Sequence, residues 1–314
     1  MMHRSVLSAV LLACLWVVAA LSAQTPDAYA PLKFRYIGPV GNRIIAVAGV
    51  PGDTNVYYAG AASGGIFKTT DSGAHWDAIF DDQPVSSIGS LAVAASDPNV
   101  VWAGTGEAFI RSNISIGNGI YRSTDAGRTW VQRGLDRTGR IGRVLIDPRD
   151  PDVVLACALG HAYGPQQERG VFRTADGGKT WQQTLFVDQN TGCSDIAMDA
   201  RNPRILFAGM WQLEIHTWGR TSGGAGSGLF KSVDGGLTWK RLAEHGLPKP
   251  PVGKISAQVA RTNSSRVYAL IETGDGLPGT DGTPTQSGSL WRSDDGGENW
   301  ELVSSDRRLR GRTH

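Results

Sequence analysis

The sequence predicts an all-β protein, a β-propeller of four-stranded antiparallel blades. Three observations carry that expectation. An octet ending in tryptophan recurs five times, as TTDSGAHW (69–76), STDAGRTW (123–130), TADGGKTW (174–181), SVDGGLTW (232–239) and SDDGGENW (293–300). Its tryptophans (Trp76, Trp130, Trp181, Trp239 and Trp300) are spaced by 54, 51, 58 and 61 residues, a period that signals a repeat architecture. Between the octets run short segments of period-2 alternation bounded by Gly, Pro, Asn and Asp, and none shows an amphipathic helical pattern.

Each unit reads as four strands in order. The first is apolar, as in IGSLAVAA (88–95), IGRVLID (141–147) and CSDIAMD (193–199), and a turn follows in SDPN, DPRDPD or ARNP. The second is YYAG, VWAG, VLAC, LFAG or VYAL, with an alanine (Ala59, Ala103, Ala156, Ala208, Ala269) where strands crowd together. The third alternates aromatic and polar residues, as in GIFKT and GVFRT. It carries a basic residue in every unit (Lys68, Arg122, Arg173, Lys231, Arg292), which reads as scaffold, not as an anion site. The fourth begins at the tryptophan. Four antiparallel strands per repeat is the blade pattern of a propeller.

The octet therefore falls in the hairpin between the third and fourth strands. There the Ser or Thr and the aspartate (Asp71, Asp125, Asp176, Asp234, Asp295) can accept hydrogen bonds from turn N–H groups. The glycine permits positive φ, and the tryptophan buries its ring over the hairpin. Turn chemistry accounts for each position, so the five aspartates read as structural, one per blade.

These octets resemble the Asp-box, or BNR repeat, S-x-D-x-G-x-T-W, over roughly residues 44–305. Propellers with this repeat include sialidases, xyloglucan-active glycosidases, the sortilin N-terminal (VPS10) domain and photosystem assembly factors, so the resemblance implies fold more than function. The stretch from Gly41 to Trp76 and the later units are most similar to secreted bacterial proteins with a sortilin N-terminal-like propeller, often labelled glycosyl hydrolases. That likeness implies a peptide or protein ligand bound in or over the propeller channel. The cysteine-rich modules of sortilin are not matched here.

The ends are read separately. Residues 1–23 combine a basic start, an apolar run and small residues before Gln24, the order of a signal peptide, so the chain is expected to be exported, periplasmic or extracellular. LLAC (11–14) has the look of a lipobox, but the apolar run continues past Cys14, which favours a cleaved product. Residues 24–43 form an N-terminal segment, 44–305 the propeller, and 306–314 the start of a further repeat or a tail. No later run is long enough to span a bilayer. With 31 basic and 29 acidic residues, nothing in the charge balance points to nucleic acid. Cys157 and Cys193 lie near the inner strands of consecutive units, and a disulfide between them and two buried thiols are both open.

Function is expected on the end opposite the octets. Connections in an antiparallel blade alternate between its ends, and the irregular segments (105–118, 160–169, 210–228, 273–289) all fall on one of them. Ligand-binding candidates there are Arg111, Asn113, His161, Tyr163, Trp211, His216 and Trp218, the exposed tryptophans suiting sugar or peptide recognition. The first reading is a binding scaffold for a peptide, protein or glycan. The alternative is a glycoside hydrolase, sialidase-like or xyloglucanase-like, with Glu107 and Glu214 as its carboxylate pair. FRYIGP (34–39) only loosely resembles the sialidase arginine motif, so Arg35 is not assigned that role. No motif for a metal, cofactor, nucleophile elbow or phosphate loop is present.

Overall fold

The computed structural model describes residues 38–39, 43–110, 114–161, 163–273, 290–306 and 309. The expected signal peptide, most of the N-terminal segment, and Arg111 and Asn113 lie outside the described residues. Among the described residues there are strands but no α-helix.

Blade one consists of β1 (Ile44–Val50), β2 (Asp53–Ala61), β3 (Ile66–Thr69) and β4 (Asp77–Ala78). Blade two follows with β5 (Ile88–Val93), β6 (Val101–Thr105), β7 (Ile120–Ser123) and β8 (Val131–Gln132). Blade three has β9 (Ile141–Asp147), β10 (Asp150–Ala158), β11 (Gly170–Thr174) and β12 (Gln182–Leu185). In blade four, β13 (Thr191–Met198), β14 (Leu206–His216), β16 (Gly228–Ser232) and β17 (Lys240–Leu242) form the sheet, and β15 (Gly219–Ser222) pairs only with the far end of β14. Blade five is β18 (Ile255–Ala260), β19 (Asn263–Ile271), β20 (Leu290–Ser293) and β21 (Glu301–Ser304). Every sheet is antiparallel with its strands in chain order, so the five repeats are five blades. Each fourth strand starts one residue after the tryptophan, not at it.

The first strands pack in sequence, β1 on β5, β5 on β9, β9 on β13 and β13 on β18, whereas β1 and β18 make no comparable contact. The core lies between blades. Tyr58, Ile66 and Phe80 of the first unit cluster with Ile88, Tyr121 and Trp130 of the second, and the pattern repeats at each later junction. A sheet covered on both faces explains why the second strands are apolar almost throughout, with the invariant alanines at most 2% exposed.

The octet is a hydrogen-bonded unit. In TADGGKTW, Thr174 Oγ1 donates to Asp176 Oδ1 (2.7 Å) and accepts from the N–H of Gly178 (3.1 Å). Asp176 Oδ1 accepts from the N–H groups of Lys179 and Thr180 (2.9 and 3.0 Å), and Thr180 Oγ1 donates to its Oδ2 (2.7 Å). Each box also donates a backbone N–H to the turn before strand two or to the first residues of that strand in its own blade, as from Ala126 to Asn99 and from Gly177 to Asp152. Boxes and Asp/Pro turns therefore share one end of the blades, as expected.

The tryptophan does more than cover its own hairpin, where a Cβ at Gly127, Gly236 or Gly297 would fall 3.6, 3.5 or 3.6 Å from the ring of the same box and Trp300 Nε1 donates to the carbonyl of Gly297 (3.1 Å). Trp130 Nε1 donates to the carbonyl of Ile79 (2.9 Å), Trp181 Nε1 to that of Arg133 (2.6 Å) and Trp239 Nε1 to Thr184 Oγ1 (3.3 Å), each in the preceding blade. The box ties neighbouring blades together as well as closing a turn.

Candidate functional site

On the end opposite the boxes, three connections converge. Ala108, Ile110 and Ile114 after β6, Leu159 after β10, and Trp211, Leu213 and Ile215 of β14 make a small apolar cluster of their own. The non-repeating segments are thus packed on one another. Trp211, expected to be exposed, is 1% exposed, because β14 runs on beyond the blade and returns as β15. Residues 210–228 are a strand and a hairpin more than a loop. The period-2 alternation of Leu213 and Ile215 with Glu214 and His216 was the available signal.

Trp211 Nε1 donates to Ser222 Oγ (2.9 Å), and Ser222 Oγ donates to Glu272 Oε2 (2.7 Å) of blade five. Lys254 Nζ lies 5.4 Å from the Trp211 ring centre and 5.5 Å from that of Phe109. Burial pushes the Lys254 pKa down, and the charges of Asp195 and Glu272 oppose that shift. At the hairpin tip the rings of His216 and Trp218 stack in parallel, 4.8 Å apart and 3° from coplanar, with Trp218 84% exposed. Glu214 Oε2 lies 4.0 Å from His216 Nε2.

Glu107, a candidate catalytic carboxylate on one of the irregular segments, is fully buried. Its Oε1 accepts from Arg43 Nη2 at 2.6 Å, and its N–H donates to the carbonyl of Ser115 (3.0 Å). Arg140 is buried nearby; desolvation lowers its pKa, and Tyr163 and Glu107 oppose the change. The two candidate carboxylates thus occupy different settings, one enclosed against an arginine and one beside a histidine on a hairpin.

His161 and Tyr163 line a groove of about 660 Å³ with Asp136, Arg137, Gln166 and Glu168. Tyr163 is exposed and His161 half-buried. Arg169, which repeat reasoning missed because no other unit has a counterpart, holds this segment in place. Its guanidinium donates to the carbonyls of Asn190 (2.6 Å), His161 (2.7 Å), Gly164 (3.1 Å) and Leu213 (3.2 Å). Burial lowers its pKa to about 10, so it stays charged at neutral pH. Also missed was buried Asp195, which accepts from Arg143 Nε (2.9 Å) and from Ser256 Oγ, linking β9, β13 and β18. Among the described residues, no group of three or more His, Cys, Asp or Glu is placed to hold a metal ion. Nor do they contain a helix long and apolar enough to cross a membrane.

The BNR/Asp-box repeat family model matches residues 291–302, the fifth box with its flanks. Over longer stretches the chain is similar to a xyloglucanase of Paenibacillus sp., 24% identical over 280 residues that make up 80% of this chain and 25% of that protein. It is equally similar to the xyloglucanase Xgh74A of Acetivibrio thermocellus, 24% identical over 226 residues, 66% of this chain and 25% of that one. The chain spans about a quarter of the length of these curated relatives. Among solved structures it is similar to the GH74 enzyme of Niastella koreensis (TM-score 0.62, 20% identity, 83% of this chain and 38% of that chain). An ancestral GH74 enzyme is comparable, with a TM-score of 0.60, 17% identity, and 85% of this chain and 34% of that chain covered. At such identities the structural likeness speaks to fold, and it agrees with the boxes and sheets: the chain is an all-β Asp-box repeat protein built from the four-stranded blades of a β-propeller.

Proposed function

We propose that this is an exported, carbohydrate-active propeller whose loop end holds a glycan chain of the β-glucan kind. The observation that carries the reading is the flat, exposed His216–Trp218 stack beside the Glu214 carboxylate, presented at the tip of the β14–β15 hairpin. A planar aromatic surface packs against the C–H face of a sugar ring, and a neighbouring carboxylate accepts its hydroxyl hydrogen bonds. Support also comes from the xyloglucanases similar to most of this chain, which favour a carbohydrate over a peptide ligand. Hydrolysis would require two carboxyls about 5–10 Å apart across the scissile bond. Glu107, enclosed against Arg43, is poorly disposed for that part, whereas the xyloglucanases similar to this chain favour hydrolysis over binding alone, so hydrolysis stands as the second reading.

Calorimetric titration of the protein with xyloglucan oligosaccharides, cello-oligosaccharides and a peptide library tests this. Trp218→Ala should weaken glycan binding about tenfold, near 1.4 kcal/mol, without moving the melting temperature. Binding confined to peptides, or unchanged by that substitution, sinks the reading. Release of reducing ends from xyloglucan, abolished by Glu214→Gln, would instead make the chain a hydrolase.

A further inference from the structure

The groove beside His161 and Tyr163 is held together by two side chains of the non-repeating segment after β10, Gln166 and Arg169. Gln166 ties its walls to one another. The Gln166 N–H donates to the carbonyl of Gln189 (2.9 Å), its Nε2 donates to that of Arg137 (2.7 Å), and its Oε1 accepts from the N–H of His161. The walls are thus the connection between blades two and three, the segment after β10, and the connection between blades three and four. Beneath them the chain is close-packed. A Cβ at Gly139 would fall 2.8 Å from the His161 ring, and one at Gly160 would fall 2.5 Å from Arg169 Cγ. The groove is therefore formed before a ligand enters, which spares binding the cost of ordering it.

Arg169 joins this groove to the hairpin that carries His216 and Trp218. Its Nη2 donates on the groove side, to the carbonyls of His161 (2.7 Å) and Gly164 (3.1 Å). Its Nη1 donates to the carbonyl of Asn190 (2.6 Å) and to that of Leu213 in β14 (3.2 Å). Leu213 directly precedes Glu214, and it also shares an apolar cluster with Leu159 at the root of the groove segment. Burial disfavours the Arg169 charge, which Asp188 and then Glu214 support, so the guanidinium is within electrostatic reach of the candidate carboxylate. From Leu213 the strand runs on to His216, about 10 Å away and farther than the width of one sugar ring. Groove and aromatic stack are separate contacts on supports that share one side chain.

The lining suits a neutral ligand. Arg137 is paired with Glu168 (3.3 Å), and the exposed Asp136, Gln167 and Gln189 remain to face a ligand. Tyr163, 55% exposed, adds an aromatic face. Carboxylate and amide groups exchange hydrogen bonds with hydroxyls, and an aromatic face takes the C–H side of a sugar ring. An anion would meet the Asp136 charge and a guanidinium already paired.

We propose that the groove and the hairpin tip are one extended glycan site, in which Tyr163 takes sugar rings beyond those held on the His216–Trp218 stack and Arg169 is the positioning residue. The inference rests on the carbohydrate reading of this end, and it adds that the ligand is a chain of several rings.

Calorimetric titration with cello-oligosaccharides and xyloglucan oligosaccharides of increasing length tests it. In the series that binds, chains of about six backbone rings should bind the wild-type protein about tenfold tighter than the shortest, because a second contact on the same ligand adds to the first. Tyr163→Ala should bring that ratio close to one. Arg169→Lys should do the same, since an ammonium offers three donors and not a planar fork, whereas loss of a merely structural support would weaken all lengths alike. Tyr163 is exposed, so its substitution decides the matter if Arg169→Lys fails to fold. Trp218→Ala should weaken every length. A wild-type affinity indifferent to length, or a length dependence that either folded variant leaves intact, overturns the proposal, and weakening by Trp218→Ala would then leave the carbohydrate reading standing. Binding of no oligosaccharide at any length overturns both.

Discussion

At the residue scale the box aspartates are hydrogen-bond acceptors whose charge is held in place by the turn. The Thr129 hydroxyl, then its backbone N–H, holds the Asp125 carboxyl down to about 2. Asp176 and Asp295 are depressed by the same kind of contact, from Thr180 and from the Asn299 N–H. For Asp234 burial opposes the shift, and the Thr238 hydroxyl and N–H outweigh it. A carboxyl whose folded pKa lies below the ordinary value of about 3.9 contributes stability that is complete above that value. The contribution is lost as pH falls through the folded pKa. The melting temperature should therefore be level above about pH 5 and fall steeply from about pH 4 to 2. Asp125→Asn and Asp176→Asn should lower the plateau and flatten that slope, and scanning calorimetry across this range checks it. The adjacent glycines of the fourth box separate two roles. Gly235 (φ 80°) has open space where a Cβ would stand, whereas Gly236 (φ 82°) would place one 2.4 Å from Leu155. Gly235→Ala should cost about 1–2 kcal/mol for left-handed backbone alone. Gly236→Ala should add about 1–3 kcal/mol of overpacking, read by urea unfolding. Equal losses would mean that the glycine serves its own turn and not the neighbouring blade.

At the scale of strands, the cysteines are a local solution to a repeated packing problem. Cys157 and Cys193 form a disulfide, with Cα atoms 5.1 Å apart, between β10 and the first strand of the next blade. At the same ladder position Gly60 meets Ile88 and Gly104 meets Ile141, where a Cβ would fall 2.5 and 2.6 Å from the isoleucine. The covalent bridge thus replaces a glycine–isoleucine contact. Closing a loop across a sequence separation of 36 residues is worth about 3–4 kcal/mol in the chain-entropy account. Cys157→Ser should lose at least that much, since it also buries an unmatched hydroxyl. The pair Cys157→Gly with Cys193→Ile should lose less, by restoring the solution used elsewhere, and chemical denaturation of the three proteins decides it. Gly60, Gly104, Cys157 and Gly209 align in the sequence, so this equivalence was legible there. The hairpin of β14 and β15 was legible only in part, since the alternation of Leu213 and Ile215 with Glu214 and His216 marks the end of β14 but HTWGRTS reads as turn-forming polar sequence. What seats it is Trp211 and Leu213 packing with Ile110 and Leu159, contacts between segments far apart in the chain.

At the scale of the whole array, stability is shared at joints. Each apolar cluster draws on two consecutive blades, so no sheet covers its own core, and repeats of this kind are stable only in company. The loop end follows a different rule. Glu107, Arg169 and Trp211 all resemble surface loop residues in the sequence, yet the three are buried where connections from blades two, three and four meet. A polar side chain at such a crossing is enclosed by chain segments far away in sequence and finds its partners there, as Glu107 does with Arg43 and Arg169 does with four carbonyls. By itself the sequence determined the all-β class, the five blades, their strand order and the end on which the boxes lie, because period-2 alternation and turn chemistry are local properties read within a few residues. Only the tertiary structure decided that the box clasps the preceding blade, that Glu107 and Trp211 are interior, and that His216 and Trp218 are presented outward. Those outcomes depend on which distant segments remove a side chain from water, and burial between segments leaves no signature in either segment alone.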